Sequence, residues 1–142
     1  MYDIAVVGGG PAGLTAALYG RRQNKSVLVL EKNSFGGQTV FSPKIENYPG
    51  FVEMSGMEFS DKLVDQVLKQ GADLRMETAV EITDLGKTKK ITTDCGEYES
   101  RTVIIATGAK HRLLGLEGEE ELIGNGISFC AVCDGAFYAG KD

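Results

Sequence analysis

Two short apolar runs, with a stretch of helical period between them, open the chain. Ile4-Ala5-Val6-Val7 has the length and branching of a strand, and Gly8-Gly9-Gly10 stops it. Pro11 suits the first turn of a helix, and Leu14, Ala17 and Leu18 recur at helical spacing up to a helix end near Arg21 to Asn24. Ser26-Val27-Leu28-Val29-Leu30 is apolar on both faces, the pattern of a strand buried in a parallel sheet, and Glu31 stands at its carboxyl end. These residues predict a βαβ unit.

The pattern then loosens. Residues 32–56 keep no period and carry Gly36-Gly37, Pro43, Pro49-Gly50 and Gly56, which predicts a long loop of the functional kind. Phe59, Leu63, Val67 and Leu68 mark one face of a helix from about Met57 to Gln70, closed by Gly71. Glu77 to Asp84, Lys89 to Asp94 and Glu97 to Ser100 predict a three-stranded antiparallel meander, and Thr102 to Ala106 a further buried strand. Beyond Gly108 come an acidic connector, Leu116 to Glu121, and a glycine-rich stretch.

Composition narrows the classes. The chain has 142 residues, 42% hydrophobic and 25% charged, enough for one modest core. Its formal net charge of −5, without a basic run, argues against nucleic acid and anionic membrane as partners. No apolar run is long enough to span a bilayer, and the start shows no signal-peptide pattern, so a cytoplasmic location is expected. Three cysteines, an odd number, fit a reducing compartment better than a secreted disulfide framework.

Gly8-Gly9-Gly10-Pro11-Ala12-Gly13 satisfies G-x-G-x-x-G between a predicted strand and a predicted helix, where a dinucleotide fingerprint has to lie. Its glycines permit a tight turn, close approach to a pyrophosphate, and close packing of helix on strand. Glu31, eighteen residues beyond Gly13, is placed to accept hydrogen bonds from a ribose diol and disfavours a 2′-phosphate. The motif alone does not choose between NAD and FAD. A Gly-rich turn without ligand is the competing reading, and the complete strand, turn, helix, strand and acid context weighs against it.

Cys130-Ala131-Val132-Cys133-Asp134-Gly135 permits a reversible disulfide or two thiolate ligands to a metal. Structural zinc wants four ligands, and Cys95 and His111 are single residues in other elements, so redox chemistry is favoured and no metal site is assigned. Asp134 beside a dithiol is able to shuttle protons. Lys110-His111-Arg112 reads as a solvated loop, and Cys95 is assigned no role.

Together these residues resemble the low-molecular-weight thioredoxin reductases over essentially the whole chain. The landmarks are Gly8 to Ala17, Gly36-Gly37-Gln38, Ile45-Glu46-Asn47-Tyr48-Pro49-Gly50-Phe51, Ala106-Thr107-Gly108-Ala109 and Cys130 to Gly135. The resemblance implies an α/β fold: an FAD/NAD(P)-binding Rossmann-like domain with a parallel sheet and an antiparallel meander, truncated. Residues 1–112 would begin the FAD domain, and residues 113–142 an NADPH domain bearing the cysteine pair. It implies FAD at Gly8, Gly10, Pro11, Ala12, Gly13, Glu31, Lys32, Gly37, Gln38, Asn47, Val80, Thr107 and Gly108. It also implies electrons from NADPH passing through FAD to Cys130 and Cys133, and then to a thioredoxin-like protein. Cys133 would face the flavin, Cys130 would attack the partner, Asp134 would serve as acid and base, and the chain would form a homodimer. No second glycine turn for NADPH follows, so this chain is expected not to turn over alone. The alternative is a nucleotide-binding module without turnover.

Overall fold

The computed structural model describes residues 1–123, 125–131 and 139–140 and divides the chain into two compact units, Met1–Gly108 and Ala109–Asp142. The first unit is built on β1 (Tyr2–Val7), α1 (Pro11–Arg22) and β2 (Val27–Leu30). A 3₁₀ turn (Gly37–Phe41), α2 (Gly56–Lys69), β3 (Asp73–Arg75), β4 (Ala79–Asp84), β5 (Lys89–Thr93) and β6 (Glu97–Ile105) follow. One six-stranded sheet collects all the strands in the order β3-β2-β1-β6-β5-β4. The pairs β3-β2, β2-β1 and β1-β6 are parallel, and β6-β5 and β5-β4 are antiparallel.

Alternation along β1 and β2 divides the core between the two faces of the sheet. Val6, Val27 and Val29 join Leu14 and Ala17 of α1 and Val67 of α2. On the other face Ala5, Leu28 and Leu30 pack with Ile91 of β5, flanked by Tyr2, Tyr98 and Val103. All four residues of β2 are buried, as its unbroken apolar run predicts. α2 starts one residue before its expected beginning because Ser55 caps it, the Ser55 hydroxyl accepting from the Glu58 N–H at 3.1 Å. The outer face of α2 is wet, with Lys62 paired to Glu58 at 3.0 Å and half of each side chain exposed.

Two strands differ from the sequence reading. β3 is absent from it, since Asp73-Leu74-Arg75 is too short and polar to show a period. Its place at the sheet edge is fixed from outside by β1, where Tyr2 Oη donates to Asp73 Oδ2 at 2.6 Å, while within the strand Arg75 pairs with Asp73 at 2.9 Å. The expected strands Glu97 to Ser100 and Thr102 to Ala106 are one strand, β6. The pattern changes at Arg101 because the partners change: residues 97–100 pair antiparallel with β5, and residues 100–105 pair parallel with β1. Ser100, fully buried, stands opposite both Lys89 and Tyr2. Nor is the end of β6 buried throughout: Ile104 and Ile105 are 37% and 61% exposed.

The long loop is more ordered than its lack of period suggests. Ile45 and Met54 form an antiparallel bridge, Lys44 pairs with Glu46 and Glu53, and Tyr48 lies against Phe59 of α2 with ring centroids 4.9 Å apart. In the second unit a single helical turn, α3 (Glu119–Leu122), replaces the acidic connector. Glu119 is buried, and its carboxylate accepts from the backbone N–H groups of Leu114, Gly115 and Leu116 at 2.7, 2.7 and 3.2 Å. The Leu114 N–H, with the other two, holds that carboxyl below its ordinary value. His111 stacks on Phe129 with centroids 4.4 Å apart and planes 2° from parallel, a contact that the solvated-loop reading does not contain.

Candidate nucleotide-binding site

The turn between β1 and α1 leaves no room for side chains at Gly8 and Gly13. Gly8 has φ +109°, and a Cβ there would lie 2.2 Å from the Ala106 carbonyl oxygen; one at Gly13 would lie 1.9 Å from the Gly8 oxygen. These contacts bring the start of α1 down onto β1 and β6. A Cβ at Gly10 would meet only Gly37, at 3.9 Å. Gly10 is thus the open side of the turn.

The beginnings of the two long helices contrast. α2 is closed by Ser55 and has Glu58 in its first turn, whereas α1 has Gly10 at its cap, Pro11 in first place, no side-chain cap and no acid in its first turn. The amides of Ala12 and Gly13 thus belong to the four that a helix start leaves unsatisfied, and no side chain of the α1 first turn caps the positive end of its dipole. Such an end is an anion site. Gly37 and Gln38 begin the 3₁₀ turn, and Gly37 packs beside Gly10.

Glu31 follows β2 directly and braces the same turn. Its Oε2 accepts from the Gly9 N–H at 2.7 Å, and its Oε1 accepts from the Asn33 N–H at 3.0 Å. Each carboxylate oxygen has a second lone pair, which leaves acceptor capacity for a diol. Beside it opens a cleft of about 270 Å³ lined by Val7, Gly8, Leu30, Glu31, Lys32, Glu77, Thr78, Ala79 and Thr107. It lies at the carboxyl ends of β1, β2 and β6, where the strand order reverses direction, the place at which open α/β sheets take ligands.

Of the expected cofactor residues, the cleft gathers Gly8, Glu31, Lys32 and Thr107. Gly10, Pro11, Ala12 and Gly13 form the adjoining helix start, and Gly108 follows Thr107. Val80 lies in β4 and is 63% exposed, and Asn47 is exposed in the loop after the 3₁₀ turn. Neither lines the cleft. Glu77, Thr78 and Ala79 do line it and were missed, because their place depends on pairing with strands that come later in the chain. Cys130 is disulfide-bonded, and its N–H donates to Ser128 Oγ at 3.1 Å; Cys133 and Asp134 lie outside the described residues. Cys95 is a free, exposed thiol beside Asp94 and Glu77, and partial desolvation by its neighbours, with the Asp94 charge, pushes its pKa up.

The sequence profile described as pyridine nucleotide-disulphide oxidoreductase matches residues 2–142. The chain belongs to that family. Among members of this oxidoreductase family, the thioredoxin reductase of Listeria monocytogenes is 44% identical over all 142 residues, which cover 44% of that protein. The thioredoxin reductase structure from Streptococcus pyogenes superposes with a TM-score of 0.86 at 46% identity, over 96% of this chain and 45% of that one. The structure from Lactococcus lactis gives 0.82 at 44% identity, again over 96% and 45%. The chain therefore spans a little under half the length of these relatives. Its mixed sheet is the α/β fold that these oxidoreductases share, and among the described residues no helix is long and apolar enough to cross a membrane.

Proposed function

We propose that this chain is the FAD-binding, cysteine-bearing part of a flavin-dependent disulfide reductase of the thioredoxin reductase type. The observation that carries the reading is the bare start of α1: of two long helices, the one behind the glycine turn alone has an uncapped first turn, beside a cleft with a carboxylate. The residues fit a dinucleotide. Ala12 and Gly13 would bind the pyrophosphate through their N–H groups, Gly10 would let it approach, and Glu31 would take the ribose diol. Lys32, Thr107, Gly108 and Val80 would border the nucleotide, with Gly37, Gln38 and Asn47 toward the ring system. When bound, the flavin supplies two-electron redox chemistry between NADPH and a disulfide.

The cysteines do the exchange. The Cys130 thiolate attacks one sulfur of a disulfide on a thioredoxin-like protein, the other sulfur leaves as a thiolate, and a mixed disulfide forms. Cys133 then attacks Cys130 of that mixed disulfide. The partner departs as a dithiol, and the disulfide stays in this chain. Asp134 takes and returns the proton as Cys133 changes between thiol and thiolate. The family resemblance supports this division of roles, along with a homodimer, a first domain over residues 1–112 and a second starting at 113.

Titrating the purified chain with FAD, followed by flavin fluorescence, tests the binding half. Saturable binding that weakens about tenfold or more in Glu31→Ala is the expected result, from the loss of charge-assisted hydrogen bonds. No binding, or binding indifferent to Glu31, would overturn it. The 142 residues hold one glycine turn of this kind, so the chain tested alone is expected to bind nucleotide without oxidising NADPH. Turnover with NADPH and thioredoxin would contradict that.

A further inference from the structure

A short turn in the second unit leads the chain from α3 toward Cys130. The Asn125 N–H and the Ile127 N–H both donate to the Leu122 carbonyl, each at 2.9 Å, and Ile123 and Ile127 form a parallel bridge. The amide between the two tied ones is left over. Among the described residues the Gly126 N–H donates to nothing, and the Asn125 carboxamide has no partner. Both residues are exposed, and a Cβ at Gly126 would meet no atom within 4 Å.

In such a place an asparagine is open to attack by its own chain. The nucleophile is the peptide nitrogen of the next residue, the electrophile is the side-chain carboxamide carbon, and the ring they close is a succinimide. A side chain on the next residue crowds that closure, and glycine removes the crowding. Of the four asparagines, Asn24, Asn33 and Asn47 precede Lys25, Ser34 and Tyr48, and Asn125 alone precedes a glycine.

We propose that Asn125-Gly126 is a self-modification site, at which deamidation to an isoaspartyl linkage undoes the turn before Cys130. The Gly126 nitrogen bonds to Asn125 Cγ and gives up its hydrogen, the Cγ–Nδ2 bond breaks, and ammonia leaves. Water then opens the succinimide. Opening at Cγ gives aspartate, opening at the main-chain carbonyl gives isoaspartate, and neither changes an oxidation state. Isoaspartate routes the main chain through the former side chain and so adds one methylene between residues 125 and 126. Asn125 keeps its bond to Leu122, but Ile127 is carried out of register with the Leu122 carbonyl and with Ile123. The segment bearing the Cys130 disulfide loses the bond that ties it back.

Ageing the 142-residue chain in warm, mildly alkaline buffer, with peptide mapping and methyl labelling by an isoaspartyl methyltransferase, tests the chemistry. Isoaspartate is expected at position 125 at least about tenfold faster than at Asn33, and none at that position in Asn125→Gln, where the ring would be one member larger. No isoaspartate at position 125, or an equal rate at Asn33, would overturn the site. Reduction of the Cys130 disulfide by dithiothreitol tests the consequence. The isoaspartyl fraction is expected to react about fivefold faster than fresh chain, the worth of one backbone hydrogen bond. Asn125→Asp, which has the charge without the added methylene, is expected to keep the fresh rate, as is Asn125→Gln aged in parallel. An isoaspartyl fraction reduced no faster than fresh chain, or an Asn125→Asp rate equal to that of the isoaspartyl fraction, would overturn the loss of the turn.

Discussion

The two halves of the sheet are held together by different forces. In the parallel half, β2 is buried on every residue, and only glycine fits at position 13, where α1 meets the end of β1, and at position 8, against the Ala106 carbonyl. The antiparallel half exposes Val80, Ile82 and Leu85 and depends on polar side chains: Glu77 on Thr93 and Tyr98, Asp94 on Thr78, Lys89 on Asp84. Packing places the glycine turn, and hydrogen bonds place the opposite rim residues of the cleft. One rim of the cleft is therefore set by backbone geometry and the other by side chains.

The largest effect that would break this contrast lies at Gly13. Gly13→Val is expected to destabilise the fold by about 4 kcal/mol or more, since the Gly8 carbonyl stands where the side chain begins. A thermal melt close to that of the unaltered protein would show that the parallel half is not closely packed there. Leu14→Ala, at a fully buried position, should cost about 2–5 kcal/mol by chemical denaturation. Thr93→Val keeps the shape of a residue in the antiparallel half and removes its hydroxyl; about 1–2 kcal/mol is expected. A cost above that of Leu14→Ala would reverse the comparison.

α1, α2, β1, β2 and the glycine turn were legible because periodicity and steric need are local. Leu14 and Ala17 announce their face within one turn of helix, and Glu31 announces itself by spacing. β3 and the place of Glu77 at the cleft were not, because each is defined by a partner distant in the chain: Asp73 by Tyr2, Glu77 by Tyr98. β6 was divided in two for the same reason, its single run being written in two patterns for two neighbours.

Smaller effects come from pH, and they fall on the polar contacts. The Tyr98 hydroxyl is held protonated chiefly by its bond to Glu77, and Tyr2 is pushed up to about 12, chiefly by burial. Both folded values lie above the ordinary 10.0, so the stability they give is complete below that pH and is lost as pH rises through the folded values. Amide exchange in β4 and β5 is expected to quicken above pH 10 in advance of β2, and less so in Tyr98→Phe. At the acid end the Thr78 N–H holds Asp94 below its ordinary 3.8, and this contribution, present above that value, is lost as pH falls through the lower folded one. Asp94→Asn should flatten the acid limb of the unfolding curve.

The double duty of β6 also bears on how the chain comes into being. Thr102 donates to the Asp3 carbonyl across 99 positions, and the parallel neighbour of β1 on that side is the last of the six strands among the described residues. During synthesis β1 and β2 are able to meet early, with α1 between them, but the other edge of β1 stays unpaired until β6 leaves the ribosome. Long-range parallel pairing is slow to form, and an open apolar edge invites strands from other chains. Ser100, where the two pairings meet, is thus the position at which the antiparallel strands join the parallel ones, and dilution or chaperone supply during expression should matter more for this chain than its size suggests.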